Sequence, residues 1–250
     1  MVGSTRARRD LLPVALLAYG AMLAVFLLVP PLPPFKGSPG EPVGFTFQEL
    51  LDLFTPVVII PLAWLVFDLA GGLGRGRVGT VLFLIAAAAW IEAQGMHLAA
   101  NAIGDAFPSI ATRDAFYGTV PGDLDHWLDE VLSHWVWHIG WIAISVLIIL
   151  AAMRNRGPRE EPVTAPALAG GVLQGATFFI VTVEGVTTAI GIPFSIALLA
   201  WALIARWRAL ARQPVVGFYL LTALVALAGY FVWAAVNDWT LPEFSTVWNL

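Results

Sequence analysis

The sequence predicts an all-α membrane protein, a bundle of seven transmembrane helices with a cytoplasmic N-terminus and an extracytoplasmic C-terminus. Three observations carry that expectation. The 250 residues are 59% hydrophobic and only 12% charged, whereas a soluble domain carries about 25% charged residues. Seven apolar runs are each long enough to cross a hydrocarbon core about 30 Å thick. Finally, the cationic residues fall at every second boundary between those runs. The whole chain, 1–250, reads as one such domain, placed in the plasma (inner) membrane.

The first run, Leu11–Val29, follows Arg6, Arg8 and Arg9. It is too long for a signal-peptide core, and Pro30, Pro31, Pro33 and Pro34 follow it where a small-residue cleavage site would stand. The second is Glu49–Ala70, with Pro56 and Pro61 as expected kinks. A tight loop with Arg75 and Arg77 comes next. Its Gly74, Gly76 and Gly79 match a dinucleotide fingerprint, but no strand precedes them, so the match is discounted. The third run is Val78–Asn101. Residues 102–126 read as the longest loop, rich in aspartates. The fourth run, Trp127–Met153, is closed by Arg154, Arg156 and Arg159. The fifth is Ala165–Thr188, whose Gly170, Gly171 and Gly175 suit close helix contact in lipid. The sixth, Ile192–Ala211, is closed by Arg206, Arg208 and Arg212, and the seventh is Val215–Asn237. Residues 238–250 form an aromatic tail expected at the interface. With the N-terminus inside, eleven arginines lie inside and only Lys36 and Arg113 outside, as the positive-inside rule requires.

Composition excludes several classes. Cysteine is absent, so disulfides, thiolate ligands and iron–sulfur clusters are excluded. The single lysine, Lys36, lies in a Pro-rich loop, which excludes a retinal-type Schiff base in the last helix. The arginines cluster at helix ends rather than on one face, so nucleic acid is not an expected partner.

The chemistry-bearing stretch is Asp129–Trp141. Glu130, His134 and His138 recur at i, i+4 and i+8, a spacing that puts them on one helical stripe. Two histidines four apart on a helix can share a metal ion. The outer half of the third run adds Glu92 and His97, with Gln94 and Asn101 sharing the His97 face. At about 1.5 Å per residue, His97 lies roughly 6 Å from the outer end of its run, Glu92 roughly 13 Å, His134 roughly 10 Å and His138 roughly 16 Å. Glu184 lies within about 10 Å of the outer end of the fifth. Ionisable groups from three helices thus share one slab, and ionisable groups inside a membrane suggest function. Asp129, five residues from His134, falls about 140° away on an α-helix and reads as an N-terminal helix charge. The tryptophans read as interface anchors and lipid-facing packing.

These features predict a metal-dependent membrane enzyme acting on a lipid or other amphiphile. His97, His134 and His138 are the expected ligands of Zn, with Fe or Cu as further options, and Glu130, Glu184 or Glu92 the catalytic base. Three histidines with carboxylates in a seven-span chain are similar in kind to the membrane hydrolases that include alkaline ceramidases and adiponectin-type receptors. In those the paired histidines lie in the last helix, whereas here they lie in the fourth, so no residue role is carried over. Competing readings are a haem or redox protein ligated by His97 and a fourth-run histidine, a proton- or ion-coupled transporter, and a structural protein. Against transport, the sequence shows no polar path through the inner half and no inverted repeat.

Overall fold

A computed structural model describes residues 2–30, 46–73, 77–107, 110–154, 163–205 and 213–248, with only the backbone described for 2–10, 105, 110 and 205. Lys36, Arg75, Arg156, Arg159, Arg206, Arg208 and Arg212 lie outside the described residues, as do Gly74 and Gly76 of the discounted fingerprint. The described residues are 88% helical and include no strand. The helices are α1 (Val2–Leu28), α2 (Phe47–Leu69), α3 (Arg77–Asp105), α4 (Ile110–Tyr117), α5 (Val120–His126), α6 (His134–Arg154), α7 (Ala165–Glu184), α8 (Thr188–Ala200), α9 (Pro214–Val236) and α10 (Phe244–Trp248). A π-helical turn, Trp127–Ser133, joins α5 to α6 without a break.

Among the described residues, six helical stretches are long and apolar enough to cross a membrane: Leu11–Leu28, Phe47–Leu69, Arg77–Gly104, Val120–Arg154, Ala165–Glu184 and Pro214–Val236. The chain is accordingly a multi-pass membrane protein. Of the sixth expected span, 192–211, residues 206–211 lie outside the described residues. Thr188–Ile204 is apolar but below span length, and its last residues wind into a second π-helical turn, Trp201–Ala205. The expected 102–126 loop is largely helical. Thr119 starts α5 by accepting the Gly122 N–H at 3.3 Å, and the helix then runs on into α6.

Glycine sets the closest approach between helices. α7 packs on α1 along one side and on α9 along the other. A Cβ at Gly170 would lie 2.5 Å from the Leu16 carbonyl oxygen, and one at Gly175 would lie 2.6 Å from that of Thr222. One at Gly20 would overlap the Gly170 carbonyl, and one at Gly171 that of Phe218. Backbones this close gain dispersion contacts that bulky side chains would forbid, which is how helices associate where water does not drive them together. α3 packs on α6 and on the π-helical turn, with Gly140 set against the Trp90 and Ala86 backbone.

Two expectations about aromatic residues change. Trp90, Trp137 and Trp141 are core residues rather than lipid-facing ones. Their rings follow one another at 5.3 and 5.4 Å, and Phe178 continues the row 5.3 Å from Trp141. The aromatic tail folds back on the bundle. Phe244 lies 4.4 Å from the Trp233 ring, and Trp233 donates to the Pro242 carbonyl at 2.8 Å.

Candidate functional site

The polar residues meet where α3 crosses the π-helical turn and the first turns of α6. His97 Nδ1 stands 2.6 Å from Asp129 Oδ1, a contact across two helices. Asn101, one turn beyond His97 on α3, places its amide nitrogen 3.0 Å from Nε2. These partners fix the neutral tautomer: Nδ1–H donates to Asp129, and Nε2 accepts from Asn101. The His134 ring stacks beside that of His97 with centroids 5.1 Å apart.

Asp129 reaches this position because the chain winds as a π-helix. In an i→i+5 turn, residues five apart fall nearly on one face. Asp129 therefore sits over His134 and turns to α3, where an α-helix would have turned it about 140° away. Its burial is 93% complete, and Ser133 donates its hydroxyl to the Asp129 carbonyl, one of the groups the wide turn loosens. Glu130, expected on the ligand stripe, is half-buried beside His134. Its side chain is 41% exposed, and its Oε2 lies 3.9 Å from His134 Nδ1, too far for a hydrogen bond.

His134 and His138 are both oriented by their own helix. His134 Nδ1 donates to the Glu130 carbonyl at 3.1 Å, and His138 Nδ1 to the His134 carbonyl at 2.7 Å. Thr187 Oγ1 lies 3.0 Å from the same His138 nitrogen. Thr187 comes from the α7–α8 turn, where Val186 adopts φ +49°, a left-handed conformation that β-branched residues rarely adopt. His138 Nε2 is buried without a protein partner.

The remaining expected residues stand apart. Glu184 Oε2 accepts from the Phe244 and Ser245 backbone N–H groups at 2.8 and 3.3 Å, so its carboxylate ties down α10. Glu92 is exposed on the far face of α3. Among the described residues, no group of three or more histidines and acids is arranged to hold a metal ion. The His97 and His134 rings lie beside each other, and both His97 nitrogens are engaged.

The mouth of the site is acidic. Tyr117 on α4 packs 6.0 Å from the His126 ring. Partial burial, followed by the Asp125 and Asp129 carboxylates, raises its phenol above its ordinary pKa. Deeper, buried polar side chains continue past the histidines. His138, Trp141 and Ser145 share one face of α6 at i, i+3 and i+7. Tyr219 on α9 faces Ser145 and Gln174 from α7, short of regular hydrogen-bond geometry. Ser145, Gln174, Tyr219 and Tyr19 are at most 1% exposed. They lie nearer the end of the bundle that carries Arg77 and Arg154. Buried polar groups that the sequence alone did not reveal thus continue beyond His138.

Comparison with protein-family models, curated proteins and solved structures finds no match to this chain.

Proposed function

We propose that this is a proton-translocating membrane protein whose proton-exchanging centre is the His97–Asp129 couple. The observation that carries the reading is the double engagement of His97, by Asp129 at 2.6 Å and Asn101 at 3.0 Å. The Asn101 amide can present its nitrogen to a bare Nε2 or, turned over, its oxygen to a protonated one. The imidazole therefore gains and loses a proton without leaving a ring nitrogen unpaired, and Asp129 steadies the charged form. Intramembrane relays use such chains of acids and histidines. His134 and His138 continue this one inward, and Ser145, Gln174 and Tyr219 extend it with groups that ordered water can bridge. A hydrolase working from the outer leaflet has no use for that extension.

The test is proton uptake by proteoliposomes under a potassium diffusion potential, followed with an entrapped pH dye. Vesicles holding the protein should acidify faster than protein-free vesicles. Equal rates would overturn the reading.

The seven-span topology, with the N-terminus inside and the C-terminus outside, belongs to the same proposal. In it α8 and the residues after it complete the sixth crossing. Reporter fusions after residues 40, 115 and 250 should report outside, and those after 75 and 157 inside. An inside signal at 115 would put the His97 site at the opposite face.

A second reading is favoured by the tautomers of His134 and His138. Each spends its Nδ1 on a backbone carbonyl, the arrangement that frees Nε2 to bind a metal. A Zn ion, or Fe or Cu, held there would suit an enzyme acting on a lipid or other amphiphile, with Glu130 as base. Protein purified without chelator should then carry metal in simple stoichiometry, and His138→Ala should lose most of it. Metal-free wild-type protein would sink this reading and leave the proton reading untouched.

A further inference from the structure

We propose that the outward face of α3 built from Ala88, Glu92, Gly95 and Ala99 binds a second copy of this chain. Glu92 is the sixteenth of the 29 residues of α3. At about 1.5 Å per residue it lies roughly 22 Å from one end and 20 Å from the other, in the middle of a hydrocarbon layer about 30 Å thick. It is exposed there. A carboxyl group facing lipid at this depth is costly whether charged or neutral, because hydrocarbon offers its oxygens no hydrogen bond. Such groups face a protein interior or water, and among the described residues no other helix covers Glu92 on this side of α3.

The surrounding residues are those that let another helix come close. Ala88, Glu92, Gly95 and Ala99 recur at i, i+4, i+7 and i+11, one stripe of the helix, and all four are exposed. A Cβ placed on Gly95 would meet nothing within 4 Å, unlike Gly140, Gly170, Gly171 and Gly175, which each press on a neighbouring helix. Small residues on an open face of a membrane helix permit backbone contact with a partner. Leu84, Ile85, Ile91 and Ile103 flank the stripe with exposed apolar surface.

Geometry selects a second copy as the occupant. All copies of a membrane protein insert in one orientation, so a closed pair is related by a two-fold axis along the membrane normal. Under that symmetry α3 meets α3 in parallel, and each residue meets its counterpart at its own depth. Glu92 then meets Glu92 of the second copy. Two carboxyl groups sharing a proton supply each other with donor and acceptor, and the chain needs no basic residue at that level.

The chain has no cysteine, so single-cysteine variants of the full-length protein report proximity directly. In lipid vesicles under mild oxidation, Ala88→Cys and Ala99→Cys should form disulfide-linked dimers. Val146→Cys, exposed on α6, should form at least tenfold less. In vesicles of mixed donor- and acceptor-labelled protein, Glu92→Leu and Gly95→Leu should each reduce energy transfer by more than half. Gly95→Leu should do so with unchanged helix content by circular dichroism, since a Cβ at this position meets nothing within 4 Å in its own chain. Dimer yields at 88 and 99 no higher than at 146, or transfer unaffected by Glu92→Leu, would overturn the proposal. So would recovery of the wild-type protein paired through this face with a different membrane protein.

Discussion

Asp129→Asn should lower proton flux through the reconstituted protein about tenfold while leaving the fold intact. Asparagine keeps the shape of aspartate and an oxygen to accept the His97 Nδ1–H, so the cross-helix contact persists. What is lost is the negative charge that steadies the imidazolium when His97 holds a proton. A hydrogen bond to a charged partner is worth about 1.5–3 kcal/mol. The His97 side chain is 30% exposed and that of Asp129 11%, so solvent screening places the loss at the low end of that range. That is about one factor of ten, at 1.4 kcal/mol per decade. His97→Asn should reduce flux further, because it removes the proton-carrying ring itself. Glu130→Gln is the control: its carboxylate is partly exposed and makes no hydrogen bond to His134, so flux should stay within about twofold of wild type. Asp129→Asn flux equal to wild type would remove His97–Asp129 from the proton route.

The second large effect concerns packing. Gly171→Leu should lower the thermal unfolding midpoint by roughly 6–12 °C, equivalent to about 3 kcal/mol for a chain of this size. The new Cβ overlaps the Phe218 carbonyl of α9. A backbone oxygen cannot swing aside as a side chain can, so the whole of α9 must move. That movement also strains the bond from the Thr222 hydroxyl to the Gly171 carbonyl, 3.3 Å long. Val172→Leu, one residue along and 40% exposed, should shift the midpoint by less than about 2 °C. Equal shifts for the two variants would mean that α7 and α9 are not in backbone contact.

Six of the expected spans were legible because a membrane helix announces itself by length and lack of charge, and no tertiary contact is needed to see it. His97, His134 and His138 were legible for the same reason in reverse: a polar residue stands out in an apolar run. Their grouping held for His97 and His134, whose rings touch, but the third partner was misread. Asp129 was set aside by counting 100° per residue, and no sequence signal marked Trp127–Ser133 as a wider helix. Glu92 and Glu184 were drawn to the histidines by depth alone. Depth does not give azimuth, and one carboxylate turns to the outside of α3 while the other turns to α10. Ser145, Gln174 and Tyr219 passed unnoticed because each is unremarkable on its own helix. They form a cluster only when α6, α7 and α9 are brought together.

The wide turn at Trp127–Ser133 also governs which changes in chain length this region tolerates. Deleting one residue from a regular helix rotates everything beyond it by about 100°. Here the surplus residue is already accommodated as a local widening. Removing Val131, which is exposed, lets the turn relax to ordinary winding with Asp129 four residues ahead of His134. Residues four apart share a face, so the aspartate still meets His97. The same deletion within α6, between His138 and Ser145, would carry one of them off the common face. The turn that carries Asp129 can therefore lose a residue, while the stretch from His138 to Ser145 is held to a fixed count.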